Sequence, residues 1–112
     1  MDQDTNKLID EQFKTLPQAL QRAIAQTSWR VSVENVSKAS NLDATKKESL
    51  ETETMLVIYG FEPQSDFVGN IMRELSLDIA RATMIANEID KQVFAPILEK
   101  ANSIQEEVGE ES

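Results

Sequence analysis

The longest regular pattern of apolar and polar residues in the chain runs over 77–97. Its apolar residues recur at steps of three and four, which places them along one side of a helix: Ile79, Ala82, Ile85, Ala86, Ile89, Val93 and Ile97. Asp78 stands just before them and is a typical N-cap residue. We therefore expect an amphipathic helix that needs a partner surface. Pro96 should bend or break it near Gln92, because proline lacks an N–H group and its ring clashes with the preceding turn.

Shorter stretches with helical spacing fill most of the remaining chain. They predict further helices over 5–14, after Pro17, over 28–40, over 43–59 and after Pro63. The stretch 28–40 also shows a period of two, typical of a strand, but no partner strand is visible elsewhere, so a helix is favoured. The predicted fold class is all-α: an irregular bundle of five or six short helices, with N-terminal helices packed beside the rest.

Two of the predicted helical hairpins, at about 29–60 and 64–95, match each other at an offset of 35 residues. The offset aligns apolar positions, the leucine before each turn and the capping aspartate: Val33 with Val68, Val36 with Ile71, Leu42 with Leu77, Asp43 with Asp78, Leu50 with Ile85, Ile58 with Val93. A duplicated hairpin and a chance match of two amphipathic hairpins both explain this. Because Thr54 stands opposite Ile89, we expect the first hairpin to be the one that needs outside contacts.

A second pattern extends over roughly the last two thirds of the chain. It consists of Gly60, Pro63, Phe67, Leu75, Leu77, Asp78, Ala86, Ile89, Phe94, Pro96 and Ile97. This pattern resembles a small, uncharacterised helical domain of candidate-phylum bacteria with reduced genomes. The resemblance implies an all-helical fold. It is a packing pattern, so it implies no activity, cofactor or partner.

The chain contains no cysteine and no histidine. Their absence excludes disulfides, ordinary zinc sites and the catalytic triads and pairs that depend on imidazole or thiolate. The acidic pairs Glu88/Asp90 and Glu51/Glu53 are spaced two apart, so on a helix they point in different directions. A calcium loop starting at Asp43 lacks the required ligands and glycine. We therefore expect a non-enzymatic protein with no cofactor and no metal site.

Charge is unevenly distributed along the chain, whose net charge is −9. Residues 14–47 carry six positive and two negative charges, whereas 48–112 carry four positive and fourteen negative. Either the helices simply have solvated charged faces, or the basic segment meets an acidic surface within the fold or on another subunit. The overall negative charge makes nucleic acid an unexpected partner. DNA binding through a helix-turn-helix at Asn41, with Lys38, Lys46 and Lys47 beside the turn, is a weaker alternative, because the rest of the chain would repel the DNA backbone.

Candidate partner contacts lie in this basic segment. They are Trp29, Arg22, Arg30, Lys38, Lys46 and Lys47. Tryptophan and methionine are usually core residues but are also enriched at contact surfaces. We favour a core position for Met55, Met72, Met84, Tyr59 and Trp29, with Trp29 as the best candidate for an exposed anchor.

These observations predict one helical domain over 1–105, followed by an acidic, solvated tail over 106–112. No apolar run is long enough for a membrane span, and the N-terminal residues are polar and acidic. We expect a location in the cytoplasm or in an intracellularly assembled particle. The favoured function is a protein–protein interaction or assembly module that self-associates. The alternative is an acidic regulator that binds a basic protein surface, as antitoxins or DNA mimics do.

Overall fold

The all-α prediction is confirmed. The computed structural model describes residues 3–111, with side chains described as far as Glu106. Over that range the helices are α1 (Gln3–Thr15), α2 (Gln18–Gln26), α3 (Trp29–Ala39), α4 (Ala44–Ile58), α5 (Phe67–Leu75), α6 (Ile79–Ile89) and α7 (Ala95–Glu111), with no strand among them. A short 3₁₀ helix, Gln64–Asp66, leads into α5. The strand alternative for 28–40 is wrong, because this stretch forms α3.

The helical segments of the two hairpins begin at matching positions in the structure. α3 begins at Trp29, and the 3₁₀ turn leading into α5 begins 35 residues later at Gln64. α4 begins at Ala44, and α6 begins at the matching position, Ile79. The offset found in the sequence therefore relates two hairpins of the same architecture, α3 with α4 and α5 with α6.

The turns inside these hairpins also repeat. Asn41 and Ser76, at matching positions, both adopt a left-handed conformation, with φ of 57° and 55°. Asp43 and Asp78 then cap the following helices, each accepting a 2.8 Å hydrogen bond from the backbone N–H three residues on. Both predicted caps are thus confirmed. A side-chain cap satisfies one of the N–H groups that the first helical turn leaves without a partner.

Backbone hydrogen bonds close the two turns in the same way. The Leu42 N–H donates to the Ser37 carbonyl, and the Leu77 N–H donates to the Met72 carbonyl, each at 3.0 Å. A bond of this span around a left-handed residue is the usual way in which a helix satisfies its last carbonyl groups. Two copies of one turn geometry set the same relation between the two helices of each hairpin.

The apolar stripe predicted over 77–97 forms part of the core, with one exception. Ala82, Ile85, Ala86, Ile89, Val93 and Ile97 are buried, but Ile79 is exposed. The hairpins pack face to face through α4 and α5 and through α3 and α6. Thr54, which stands opposite Ile89 in the repeat, is fully buried, and its hydroxyl donates to the Leu50 carbonyl at 2.7 Å.

Pro96 does not break the last helix. A π-helical turn, Asp90–Phe94, joins α6 directly to α7, so the backbone stays helical from Ile79 to Glu111. The predicted disturbance near Gln92 is present, but it takes the form of wider turns rather than a break. The acidic tail predicted over 106–112 begins inside α7, and its side chains from residue 107 lie outside the described residues.

The N-terminal helices close the bundle. α2 packs mainly against α7, with Ala23 and Ile24 buried on its inner side and Ile97, Ala101 and Ile104 buried on α7. A segment from before the first hairpin therefore covers the segment that follows the second. α1 contributes no fully buried residue, and it rests on the end of α4 through Gln12, which donates to the Tyr59 carbonyl at 2.9 Å.

Candidate protein-interaction surface

Arg30, the basic residue next to Trp29, interacts with other residues of the same chain. Arg30 lies with its guanidinium carbon 4.3 Å from the centre of the Trp29 ring, a cation–π contact. Its Nε also donates to Glu51 Oε1 on α4 at 3.1 Å. The first contact joins two residues of α3, and the second joins α3 to α4. Arg30 therefore already has an acidic partner within the first hairpin.

Trp29 is buried rather than exposed. Its side chain is only 3% accessible, which agrees with the core position favoured from the sequence and leaves no free ring surface for an anchor. A groove of about 430 Å³ lies beside it, bordered by Phe13, Tyr59 and Val31 among others. The ring stabilises the contact between the end of α2, α3 and α4, and Arg30 covers it from the solvent side.

Lys38 and Lys47 are brought together by one carboxylate. Their Nζ atoms lie 3.5 and 3.6 Å from Glu34 Oε1. The two ammonium groups lower the pKa of Glu34 below its ordinary value, with Lys47 the larger cause. These pairs are solvent-exposed, so each contributes little to stability. They do, however, neutralise part of the basic segment inside the first hairpin.

The remaining two candidates stand apart. Arg22 is exposed on α2, and Lys46 is half-buried at the start of α4; neither forms an ion pair within 4 Å with the described side chains of residues 3–106. Arg30 and Lys38 lie about two turns apart along α3. The six predicted contact residues therefore do not form one patch, and their role as partner contacts stays a prediction.

The exposed side of α6 has a different composition from the rest of the surface. It presents five uncharged residues within about 140° of the helix circumference, at 100° per residue: Ile79, Ala80, Thr83, Met84 and Asn87. Ile79 and Met84 are 66% and 69% accessible, more than the other exposed large apolar side chains of the described residues. We call these five residues the α6 face. In a chain with 28% charged residues, such a face is unusual.

The first hairpin provides a comparison for the α6 face. The matching positions on α4 hold small, polar or acidic residues: Ala44, Thr45, Glu48, Ser49 and Thr52. Because α4 and α6 begin at matching positions after turns of the same geometry, the fold does not require large apolar side chains here. Packing explains the buried side of α6, but it does not explain Ile79 and Met84.

Sequence reasoning missed the α6 face for two reasons. Ile79 shares the helical spacing of the buried stripe, and Met84 was placed in the core because methionine usually is. The core position is wrong for Met84 and holds for Met55, which is buried, while Met72 and Tyr59 are half-buried. The exposed apolar face also lies on the second hairpin, the reverse of the expectation that the first needs outside contacts. The repeat contained information on Met84 that periodicity lacks. Met84 aligns with the polar Ser49, so the repeated fold does not require an apolar residue at that position.

An acidic cleft lies between α4 and α5. Glu48, Glu53 and Glu74 border it, together with Thr45, Ser49 and Thr52, and its volume is about 270 Å³. Glu53 is only 8% accessible. Burial raises the pKa of its carboxyl above the ordinary value, and the charges of Glu62 and Glu74 raise it further, while Arg73 opposes them. The cleft is therefore a region of negative potential.

Among the described residues, no helix is long and apolar enough to cross a membrane. That part of the chain also contains no group of three or more acidic side chains placed to hold a metal ion. Comparisons of the chain with protein-family models, with curated proteins and with solved structures find no match.

Proposed function

We propose that this protein is a non-enzymatic interaction and assembly module that associates with copies of itself, in the cytoplasm or in an intracellularly assembled particle. The observation that carries the proposal is the α6 face, where Ile79 and Met84 are exposed on an uncharged helix surface. Burying apolar side chains is the main driving force of protein association. The matching surface of the first hairpin has no comparable residues, so the repeated architecture does not require this pair of exposed apolar side chains.

The charge layout supports the same proposal. Copies with a net charge of −9 repel one another, so a contact between them is most favourable where charged side chains are absent. The α6 face meets this condition. Arg30, Lys38 and Lys47 already have acidic partners in their own chain, so three of the six positive side chains of the basic segment are less available to a partner.

Measuring the molecular mass in solution over a range of salt and protein concentrations tests this proposal. We expect an oligomer that persists at high salt, and association that becomes tighter as salt screens the repulsion between acidic chains. Sedimentation velocity and native mass spectrometry both report the mass. A monomer at every salt and protein concentration contradicts self-association.

The acidic cleft favours a second candidate function, an acidic regulator that binds a basic protein surface. Glu48, Glu53 and Glu74 place carboxylates around one concave site, which suits Lys- or Arg-rich partners. A pulldown at low salt is expected to retain a nucleic-acid-binding protein, and the double variant Glu48→Gln/Glu74→Gln should release it. If the wild-type chain retains no such protein at low salt, this candidate fails.

A further inference from the structure

We infer that two copies of the chain pair through their α6 faces, with the two α6 helices antiparallel and a two-fold axis passing beside Met84. The inference rests on the proposed self-association and names its surface and register. A contact between identical copies in a closed dimer uses the same patch twice, so the patch must be complementary to itself. The positions of the exposed residues on α6 meet this requirement.

The centre of the α6 face suits close approach of two helices. Ala80 and Thr83 are small, and both lie exposed on the outer side of α6. In an antiparallel pair with its two-fold axis beside Met84, Met84 lies next to Met84 of the second copy. Methionine packs well against itself in such a position because its side chain is unbranched and adaptable.

Two charged residues determine the register. Arg81 and Glu88 lie about 20° apart around the helix, on the same edge of the α6 face, and both are exposed. Within one chain Arg81 donates to the Ser40 carbonyl and Glu88 accepts from Gln92 at 2.9 Å, so pairing between copies exchanges these neutral contacts for charged ones. A two-fold axis between 84 and 85 brings Arg81 of one copy beside Glu88 of the other, and it does so twice. A parallel pair loses this match, since each residue then faces the same charge. Charge complementarity of this kind fixes orientation more than affinity.

The related edge on the first hairpin does not offer the same match. The positions equivalent to Arg81 and Glu88 are Lys46 and Glu53, and Glu53 is buried in the acidic cleft. The face between them carries Glu48, which would meet another carboxylate in a pair of α4 helices. The second copy therefore docks on α6 rather than on α4.

Charge placed on the α6 face beside the two-fold axis tests the surface. Met84→Glu brings two carboxylates together at the two-fold axis, and we expect the dissociation constant of the dimer to rise by about tenfold or more. Ser49→Glu is the matched control, since it adds the same charge at the equivalent position of the first hairpin. Sedimentation equilibrium measures both variants, and circular dichroism checks that their helical content is unchanged.

A cysteine at the axis tests the register. The chain has no cysteine, so Met84→Cys introduces a single thiol close to its copy. Mild oxidation should give a disulfide-linked dimer of Met84→Cys in high yield and little linked dimer of Ser49→Cys. Reversing one charge, Glu88→Arg, should weaken the dimer, and the double variant Arg81→Glu/Glu88→Arg should restore it.

The possible outcomes separate this inference from the proposed function. A wild-type oligomer that Met84→Glu weakens no more than Ser49→Glu overturns the α6 pairing and leaves self-association standing. A wild-type oligomer with equal cross-linking of the two cysteine variants overturns the register. A wild-type monomer under all conditions overturns both.

Discussion

Glu53 is the buried charged side chain of the described residues, and its position has an energetic cost. Its raised pKa means that the folded state favours the protonated form. The stabilising contribution of this group is therefore complete below the unfolded-state pKa and is lost as the pH rises through the folded-state pKa. Burial is the main cause of the raised pKa, and the charges of Glu62 and Glu74 add to it.

Replacing this carboxylate with an amide removes the cost. We expect Glu53→Gln to increase the free energy of unfolding at pH 7, and the gain to shrink as the pH falls through the raised folded-state pKa towards the ordinary carboxyl value of 4.5. Urea unfolding at several pH values measures the gain. Glu99→Gln, at an exposed position of α7, is the control, and an equal gain in both variants contradicts the assigned cause.

The repeated caps allow a second prediction at the level of single residues. Asp43→Ala and Asp78→Ala should each lower the free energy of unfolding by about 1 kcal/mol, because each removes one side-chain cap of the same geometry. Asp66 occupies the N-cap position of α5 without a side-chain cap hydrogen bond, so Asp66→Ala should change stability much less. Thermal unfolding of the three variants distinguishes them. Equal losses in all three would show that the caps are not responsible.

Among whole elements, α1 and α7 differ most in how they join the core. α1 has no fully buried residue, and its contacts with the body include the Gln12 hydrogen bond and the Phe13 ring, 5.4 Å from that of Tyr59. α7 contributes Ile97, Ala101 and Ile104 to the core and is the main partner of α2. The sequence predicts α1 as a helix over 5–14, and only the first residues of α7 fall within the helix predicted over 77–97. The unequal burial of the two helices depends on where the chain places them.

Removing α1 should therefore leave the fold intact. A chain starting at Leu16 is expected to keep its helical content and a single cooperative unfolding transition, with a modest loss of stability from the partly buried Ile9 and Phe13. Ending the chain before Ile97 removes three buried residues and should abolish cooperative unfolding. Circular dichroism during heating compares the two truncated chains. Loss of cooperativity without α1 would mean that this helix is part of the folding core.

At the scale of the whole molecule, the fold places two equivalent hairpins side by side and closes them with α2 against α7. The principal dimensions are 48 × 31 × 23 Å. The contact between α2 and α7 covers one end of the paired hairpins. The outer side of α6 stays exposed and uncharged, and is available for further contacts. The net charge of −9 makes copies of the chain repel one another. This repulsion is weakest where a surface carries no charged side chains.

Local patterns of residues were enough to predict the helices and the correspondence between the two hairpins. Periodicity predicted the helices, the aspartates at 43 and 78 marked two of their starts, and the 35-residue offset identified the repeated hairpin. These features depend on neighbouring residues, so they are readable locally. The offset also contained the contrast between Met84 and Ser49, although periodicity alone does not show which of the two is exposed.

Which faces of the helices are buried depends on contacts that form only in the folded chain. Trp29 is buried because α3 packs against α4, and Ile79 is exposed because no element within the described part of the chain packs on the outer side of α6. Pro96 continues a helix because a π turn widens the backbone before it. Each result depends on contacts between residues distant in sequence, and the spacing of residues along a single helix carries no information about those contacts.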